Sequence, residues 1–148
     1  GRRSPHALVP PQHPLAARPS LTLAELADQP LVLSQEGLSV QHMLGLFRAQ
    51  GLVPRIAHRA DTLELLRSLA ANDEGVGISY SLPPGGISYD AKPLRAVPVR
   101  DPEAQEPVIL AAHAPLPKGS LTETAHDILC QALSRGRSDL AQADHHID

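Results

Sequence analysis

The sequence predicts an α/β domain built on a mainly parallel sheet, and three observations lead to this fold class. Short apolar runs alternate with stretches of helical periodicity between residues 7 and 80. Two of those stretches, and a later one that begins at residue 120, open with a capping-box pattern, in which Thr, Asp or Ser precedes Glu by three positions. Glycines and prolines mark the turns between them. Such alternation is typical of a parallel sheet covered by helices.

The first elements are short and strongly apolar. Residues 7–9 predict a strand, and Thr22 with Glu25 forms a capping box that opens a helix over residues 23–28. The run 31–33 is too short and too apolar for a surface element, so we expect a buried strand there.

A longer helix over residues 40–50 follows a polar turn at 34–37. Its apolar residues recur on one face at helical spacing, and they are Val40, Met43, Leu44 and Phe47. Gly51 ends this helix, because glycine readily adopts the left-handed backbone found after helices. Residues 55–60 then predict another strand.

The next helix also lies between two predicted strands. Either Asp61 or Thr62 can cap it, and Glu64 stands where a capping box with Asp61 needs its partner. Its apolar face consists of Leu63, Leu66, Leu69 and Ala70. A glycine-containing turn follows and leads to a strand over residues 77–80.

The second half of the chain is organised differently. Residues 94–99 and 108–112 predict strands joined by a charged turn, which is too short for a parallel crossover, so we expect an antiparallel pair. Ser120 caps a final helix whose apolar stripe extends to Leu133. The polar tail over residues 135–148 is expected to be disordered.

Composition excludes several classes of function. A net charge of -3 without a basic run argues against a nucleic-acid surface in this chain, since phosphate binding needs clustered Lys and Arg. No stretch approaches the ~20 apolar residues of a membrane span. The single cysteine, Cys130, has no internal disulfide partner, and the N-terminus lacks the apolar core of a signal peptide. We therefore expect a cytoplasmic protein with no membrane partner.

No pattern of residues predicts catalysis, a metal or a cofactor. The nucleophile elbow, the phosphate-binding loop and the complete dinucleotide fingerprint are all absent from the sequence. The eight histidines form no pair at metal-ligand spacing on one helix. His126 and Cys130 share one side of the last helix, but two ligands make a poor site. The sequence therefore predicts a protein that is not an enzyme.

Five segments, taken in order, resemble one known family. They are residues 13–16 (His-Pro-Leu-Ala), 23–30, 31–33, 47–54 and 75–77 (Gly-Val-Gly). In their order and spacing they resemble the effector-binding domain of LysR-type transcriptional regulators. The resemblance implies a type 2 periplasmic-binding-protein-like fold, in which two α/β lobes hold a small-molecule effector between them. It also implies DNA binding through an N-terminal helix-turn-helix that this chain lacks, and a homodimer or homotetramer of the full-length protein.

Mapped onto that family, the chain divides into four parts. Residues 1–13 would be a crossover strand and lead-in, 14–80 the second lobe, 81–134 the return to the first lobe, and 135–148 the polar tail. The opening half of the first lobe would be missing. Uncovered sheet edges and apolar helix faces favour association or disorder, so we expect a fragment of a longer product or poor stability alone.

The candidate binding residues surround two strand-to-helix turns. Helix N-termini attract anions, and the resemblance implies that both turns and the strand after Gly77 line the effector cleft. The candidates are Ser34, Gln35, Glu36, Gly37, Thr62, Ile78, Ser79 and Tyr80. A carboxylate is one candidate effector. Glu36 and Asp61 would repel it unless Arg59 or Arg67 compensates or Glu36 points to solvent, and both arginines also fit a solvated surface.

Two other functions share this fold. A solute-binding receptor would normally carry an export signal, and an enzyme would need a catalytic motif. For the regulator, the resemblance implies a dimer, with the helix 40–50 and the last helix as candidate surfaces. The coding sequence upstream would discriminate these functions.

Overall fold

The computed structural model describes residues 2–111 and 115–143, with side chains up to residue 132. The chain divides into two compact units, and the larger one spans Arg3–Glu106. Its five-stranded sheet consists of β2 (His6–Val9), β3 (Pro30–Ser34), β4 (Arg55–Ala60), β5 (Val76–Ser79) and β6 (Arg95–Pro98). Its helices are α1 (Leu23–Ala27), α2 (Leu38–Ala49) and α3 (Leu63–Ala71). Short 3-10 turns cover Pro14–Ala17, Pro84–Gly86 and Pro102–Ala104.

Two short strands stand at the points where the chain enters and leaves the larger unit. They are β1 (Arg2–Arg3) and β7 (Glu106–Pro107). The smaller unit contains the last helix, α4 (Leu121–Ala143).

The sheet has the order β4-β3-β5-β2-β6, and it is mixed rather than mainly parallel. β3 pairs in parallel with β4 and β5, whereas β2 is antiparallel to both β5 and β6. The predicted strands and helices up to residue 80 are all present, but the direction of β2 differs from the expectation. Its direction is fixed by long-range pairing, which local periodicity does not record.

Helices cover both faces of the sheet. Successive side chains of a strand point to opposite faces, so Leu8 and Val32 pack with Leu66 of α3, whereas their neighbours pack with α1 and α2. The core on the side of α1 and α2 contains Met43 and Phe47, both fully buried. The predicted apolar faces of α2 and α3 therefore pack against the sheet, except that Leu63 at the start of α3 is 38% exposed.

Gly75 and Gly77 are required by close packing. A Cβ atom at Gly75, whose φ is 151°, would lie 2.7 Å from the carbonyl oxygen of Pro30. At Gly77 it would lie 2.9 Å from a methyl group of Leu66. These glycines let β5 approach both its neighbouring strand and α3.

Helix caps agree with the sequence at three helices, and at α3 the structure selects one of the two predicted alternatives. Thr22 and Glu25 form the reciprocal capping box of α1, and the amide of Glu123 donates to Ser120 Oγ at 3.1 Å. At α3 the cap is Thr62, whose Oγ1 accepts from the Leu65 amide at 3.1 Å. The alternative box between Asp61 and Glu64 is not formed, because α3 begins one residue later.

The predicted antiparallel pair of strands 94–99 and 108–112 is wrong. β6 pairs with β2 instead, and residues 108–111 have no regular structure, while residue 112 lies outside the described residues. The charged turn between them is not a simple hairpin turn, because Ala104 is buried in the core. Burial of Ala104 draws this segment back onto the larger unit.

The larger unit includes more than the predicted second lobe over residues 14–80, and the division into lobes stays a prediction. The larger unit continues to Glu106, because β6 completes its sheet and Leu94, Val97 and Val99 are buried in its cores. Likewise β2, predicted as a crossover strand, belongs to this sheet. The identity of either unit as a lobe stays a prediction.

α4 continues past the predicted end at Leu133 and includes residues 135–143 of the tail expected to be disordered. Ala, Leu, Gln and Arg in this stretch have high helix propensity, which explains the extension. Residues 144–148 of the tail lie outside the described residues. Within the part of the chain that the structure describes, no helix combines the length and the apolarity needed to cross a bilayer.

Candidate functional site

A cavity of about 300 Å³ lies in the larger unit where β3 and β5 end and α2 begins. Its apolar walls include Leu33, Val40, Met43, Leu63 and Ile78. Its polar lining comes from Arg3, Ser34, Glu36, Ser39 and Ser81. Apolar walls with a few polar groups are typical of small-molecule sites.

The start of α2 has no side-chain cap. Gly37 occupies the N-cap position with φ 114° and ψ 163°, and it makes no side-chain hydrogen bond. The first-turn amides of a helix lack partners within the helix, and the helix dipole makes this end partly positive. These amides belong to Leu38, Ser39 and Val40, which all line the cavity. Hydrogen-bond donors are therefore presented at one end of an apolar cavity.

The structure brings most of the predicted residues together. Those that line the cavity are Ser34, Glu36, Gly37, Ile78, Ser79 and Tyr80. Gln35 lines a neighbouring depression of about 640 Å³ instead, and its amide donates to the Ala60 carbonyl at 2.8 Å. Thr62 lines none of the described cavities, since its hydroxyl caps α3. Their roles as ligand contacts stay predictions.

Two of the predicted hydroxyl groups already have partners. Ser79 Oγ donates to the Ser81 carbonyl at 2.9 Å and accepts from the Ser81 amide at 3.1 Å. The Tyr80 hydroxyl donates to the Ala104 carbonyl at 2.9 Å. Burial raises the pKa of Tyr80 well above its usual value, and the nearby charge of Glu106 raises it further. Tyr80 is therefore a neutral wall of the cavity at physiological pH.

Sequence reasoning missed Arg3 and Ser39. Arg3 Nη2 donates to the Tyr80 carbonyl at 2.8 Å and lines the cavity. No local signal indicates this contact, because the two residues are 77 positions apart. Ser39 had a weak signal, since a hydroxyl residue in the first turn of a helix often binds backbone or ligand groups.

The two arginines proposed to balance Glu36 hold the backbone instead. Arg59 Nη1 donates to the Ser34 carbonyl at 3.2 Å. Arg67 is half-buried, and its Nη2 donates to the Leu82 carbonyl at 3.3 Å and to Ser81 Oγ at 3.2 Å. Neither lines the main cavity, so the cation that lines it is Arg3.

A cluster of polar side chains attaches the loop between β5 and β6 to α3. Asp90 accepts hydrogen bonds from Ser88, Asn72 and Ser68 at 2.7 to 2.9 Å. These bonds, that of Ser88 first, hold the pKa of the Asp90 carboxyl well below its usual range. The loop is thus attached to the end of α3, away from the cavity.

Metal ligands are not grouped anywhere in the described residues. No three His, Cys, Asp or Glu side chains there are placed to share an ion. His126 Nε2 and Cys130 Sγ lie 3.7 Å apart on α4, as their spacing indicates.

The arrangement at the cavity is suited to reversible binding of a small molecule with hydrogen-bond acceptors.

A scan against family models matches the LysR substrate binding domain over residues 1–141. The curated regulator YnfL of Escherichia coli K12, an uncharacterized HTH-type transcriptional regulator, is 32% identical over 101 residues, covering 66% of this chain and 33% of YnfL. HinK, a LysR family transcriptional regulator from Pseudomonas aeruginosa, superimposes with a TM-score of 0.64 at 28% identity, covering 68% of this chain and 35% of HinK. The chain thus spans about a third of the length of these relatives.

Two effector-binding domains with bound ligands share the fold. The domain of QuiR in complex with shikimate gives a TM-score of 0.59 at 17% identity, covering 70% of this chain and 48% of that one. The domain of BenM with its effector benzoate gives 0.57 at 22% identity, covering 71% and 48%. The expected type 2 periplasmic-binding-protein-like fold is confirmed. Because the family model spans nearly the whole sequence, the chain belongs to the LysR substrate-binding-domain family.

Proposed function

We propose that this chain is the effector-binding part of a LysR-type transcriptional regulator, and that the effector occupies the cavity at the start of α2. The observation that carries this proposal is the uncapped N-terminus of α2, which opens onto a cavity with apolar walls. Membership of the family and the regulators YnfL and HinK support it. The same relatives favour a regulator over a solute receptor or an enzyme.

The effector is a small molecule with a polar end. A water molecule takes ~30 Å³ in the liquid. If each non-hydrogen atom of a ligand takes a similar volume, a 300 Å³ cavity holds roughly ten of them. Benzoate and shikimate, the ligands of two proteins of this fold, both combine a ring with a carboxylate. A carboxylate could accept from the α2 amides or from Arg3, while the ring contacts Met43 and Ile78.

Binding would act by shifting a conformational equilibrium. An effector that contacts one state of the protein better than another shifts the population by its difference in affinity. The coupling to transcription is then a free-energy difference between assemblies of the full-length protein. We infer that DNA is bound by a helix-turn-helix outside this chain, and that the full-length regulator is a cytoplasmic homodimer or homotetramer.

A thermal-shift screen tests the site. The chain would be melted with small carboxylates, amino acids and aromatic compounds, alone and as two variants. Ser39→Trp adds a bulky side chain at the cavity wall, whereas Arg48→Trp adds a bulky side chain at the exposed end of α2. We expect a compound that raises the melting temperature of the wild type and of Arg48→Trp but not of Ser39→Trp. Equal stabilisation of both variants, or none by any compound, would overturn the proposal.

A further inference from the structure

The wall of the cavity is attached to the last residues of the larger unit at two points. Ser39 Oγ donates to Glu106 Oε2 at 3.0 Å, and the Tyr80 hydroxyl donates to the Ala104 carbonyl at 2.9 Å. Ser39 and Tyr80 both line the cavity, and Glu106 is the final residue of the unit. The cavity and the point where the chain leaves the unit are therefore in direct contact.

Among the side chains that the structure describes, in residues 2–111 and 115–132, no basic group forms an ion pair with the Glu106 carboxylate within 4.0 Å. Arg3, the cation of the cavity, donates to Tyr80 instead. The charge of Glu106 also contributes to the raised pKa of Tyr80, so its field reaches the cavity wall. A ligand carboxylate beside Ser39 would meet an uncompensated like charge.

Ser39 cannot hold both carboxylates well. Its hydroxyl has one proton, and that proton is donated to Glu106. A ligand carboxylate at the first turn of α2 would compete for this proton and would be repelled by Glu106 at short range. Binding of an anion in this position therefore requires Glu106 to leave Ser39.

We propose that Glu106 is a specificity-determining residue of the cavity, whose contact with Ser39 must be broken when an anionic effector binds. This inference rests on the proposed function, because it assigns a charge preference to the same cavity. Neutral ligands leave the contact in place, whereas carboxylates displace the Glu106 side chain from Ser39, while Ala104 stays buried and bonded to Tyr80. The charge of the ligand then decides whether Glu106 is held at the cavity wall.

Calorimetry with benzoate and its neutral isostere benzamide tests this inference. Wild type, Glu106→Gln and Glu103→Gln would be compared. The side-chain amide that Glu106→Gln introduces can still accept from Ser39 but carries no charge, and Glu103 is an exposed carboxylate of the same segment with the same charge change. We expect Glu106→Gln to raise the affinity for benzoate about five-fold relative to the affinity for benzamide, because it removes a charge repulsion that solvent partly screens. Glu103→Gln should leave the ratio unchanged.

Three results would overturn the inference. They are an unchanged ratio in Glu106→Gln, an equal change in Glu103→Gln, and no benzoate binding by Glu106→Gln at millimolar concentration. Glu106→Ala repeats the measurement if Glu106→Gln unfolds. The proposed function fails separately, since it needs only that some compound of either charge binds and that Ser39→Trp abolishes that binding.

Discussion

The turns after β3 and β4 belong to neighbouring parallel strands of one sheet and lead into helices of similar kind, yet only the first leaves the N-terminus of its helix without a side-chain cap. After β4, Thr62 caps α3 with its own hydroxyl. After β3, Gly37 has no side chain to cap α2, and a cavity lies beside the amides. A helix N-terminus is thus a candidate site only where the chain leaves its amides unsatisfied.

The difference originates in one residue type. Gly37 has a backbone conformation, φ 114° and ψ 163°, that is essentially restricted to glycine. Thr62 has an extended conformation, φ -129° and ψ 159°, that any residue can adopt. Gly37 therefore permits this backbone conformation at the start of α2 and, because it has no side chain, provides no cap.

The largest expected effect contrasts the two helices as structural parts. Leu66 of α3 is fully buried against the sheet, whereas Leu38 at the start of α2 is 84% exposed. We expect Leu66→Ala to lower the free energy of unfolding by about 3 kcal/mol and Leu38→Ala by less than about 0.5 kcal/mol. Urea denaturation measures both. Similar losses would show that the start of α2 is as much a part of the core as α3.

Two glycines of the α2 region test whether Gly37 is needed for its conformation. Gly37→Ala should lower the free energy of unfolding by roughly 2 kcal/mol, because alanine is strained at this φ and ψ although no atom lies near its Cβ. Gly45→Ala, inside the helix and equally free of contacts, should raise it by about 0.5 kcal/mol. Thermal melts of both variants check the opposite signs. The same sign in both would remove the special role of Gly37.

The smallest effects separate stability from binding. Thr62→Ala removes a cap and should cost about 1 kcal/mol without changing ligand affinity. Ser34→Ala, on the cavity side, should cost less than about 0.5 kcal/mol but weaken any ligand that the screen identifies. Denaturation and calorimetry on both variants measure this. The comparison of the turns is wrong if Thr62→Ala weakens the ligand more than Ser34→Ala does.

Local signals predicted the elements of the larger unit well. The apolar run at β3 and the capping box at α1 depend on neighbouring residues, which the sequence shows directly. The order of the family segments also placed the strand-to-helix turn at Ser34 and Gly37 beside the end of β5. Six of the eight candidate residues consequently line one cavity.

Distant contacts were not predictable in this way. The choice between Asp61 and Thr62 as cap depends on the residue where β4 ends, which pairing with β3 decides. The contact of Arg3 with Tyr80 depends on the fold of the whole unit. Burial of Ala104 likewise extends the unit to Glu106, although its own segment is charged. Each of these features depends on residues that are neighbours in space and not in sequence.

The position of β2 has a consequence for how the sheet is completed. His6–Val9 comes first along the chain, but it lies between β5 and β6, whose residues follow about 70 and 90 positions later. During synthesis this strand is therefore made before either of its hydrogen-bonding partners exists. Closing such long loops delays the pairing, so the earliest strand of the sheet is among the last to be incorporated.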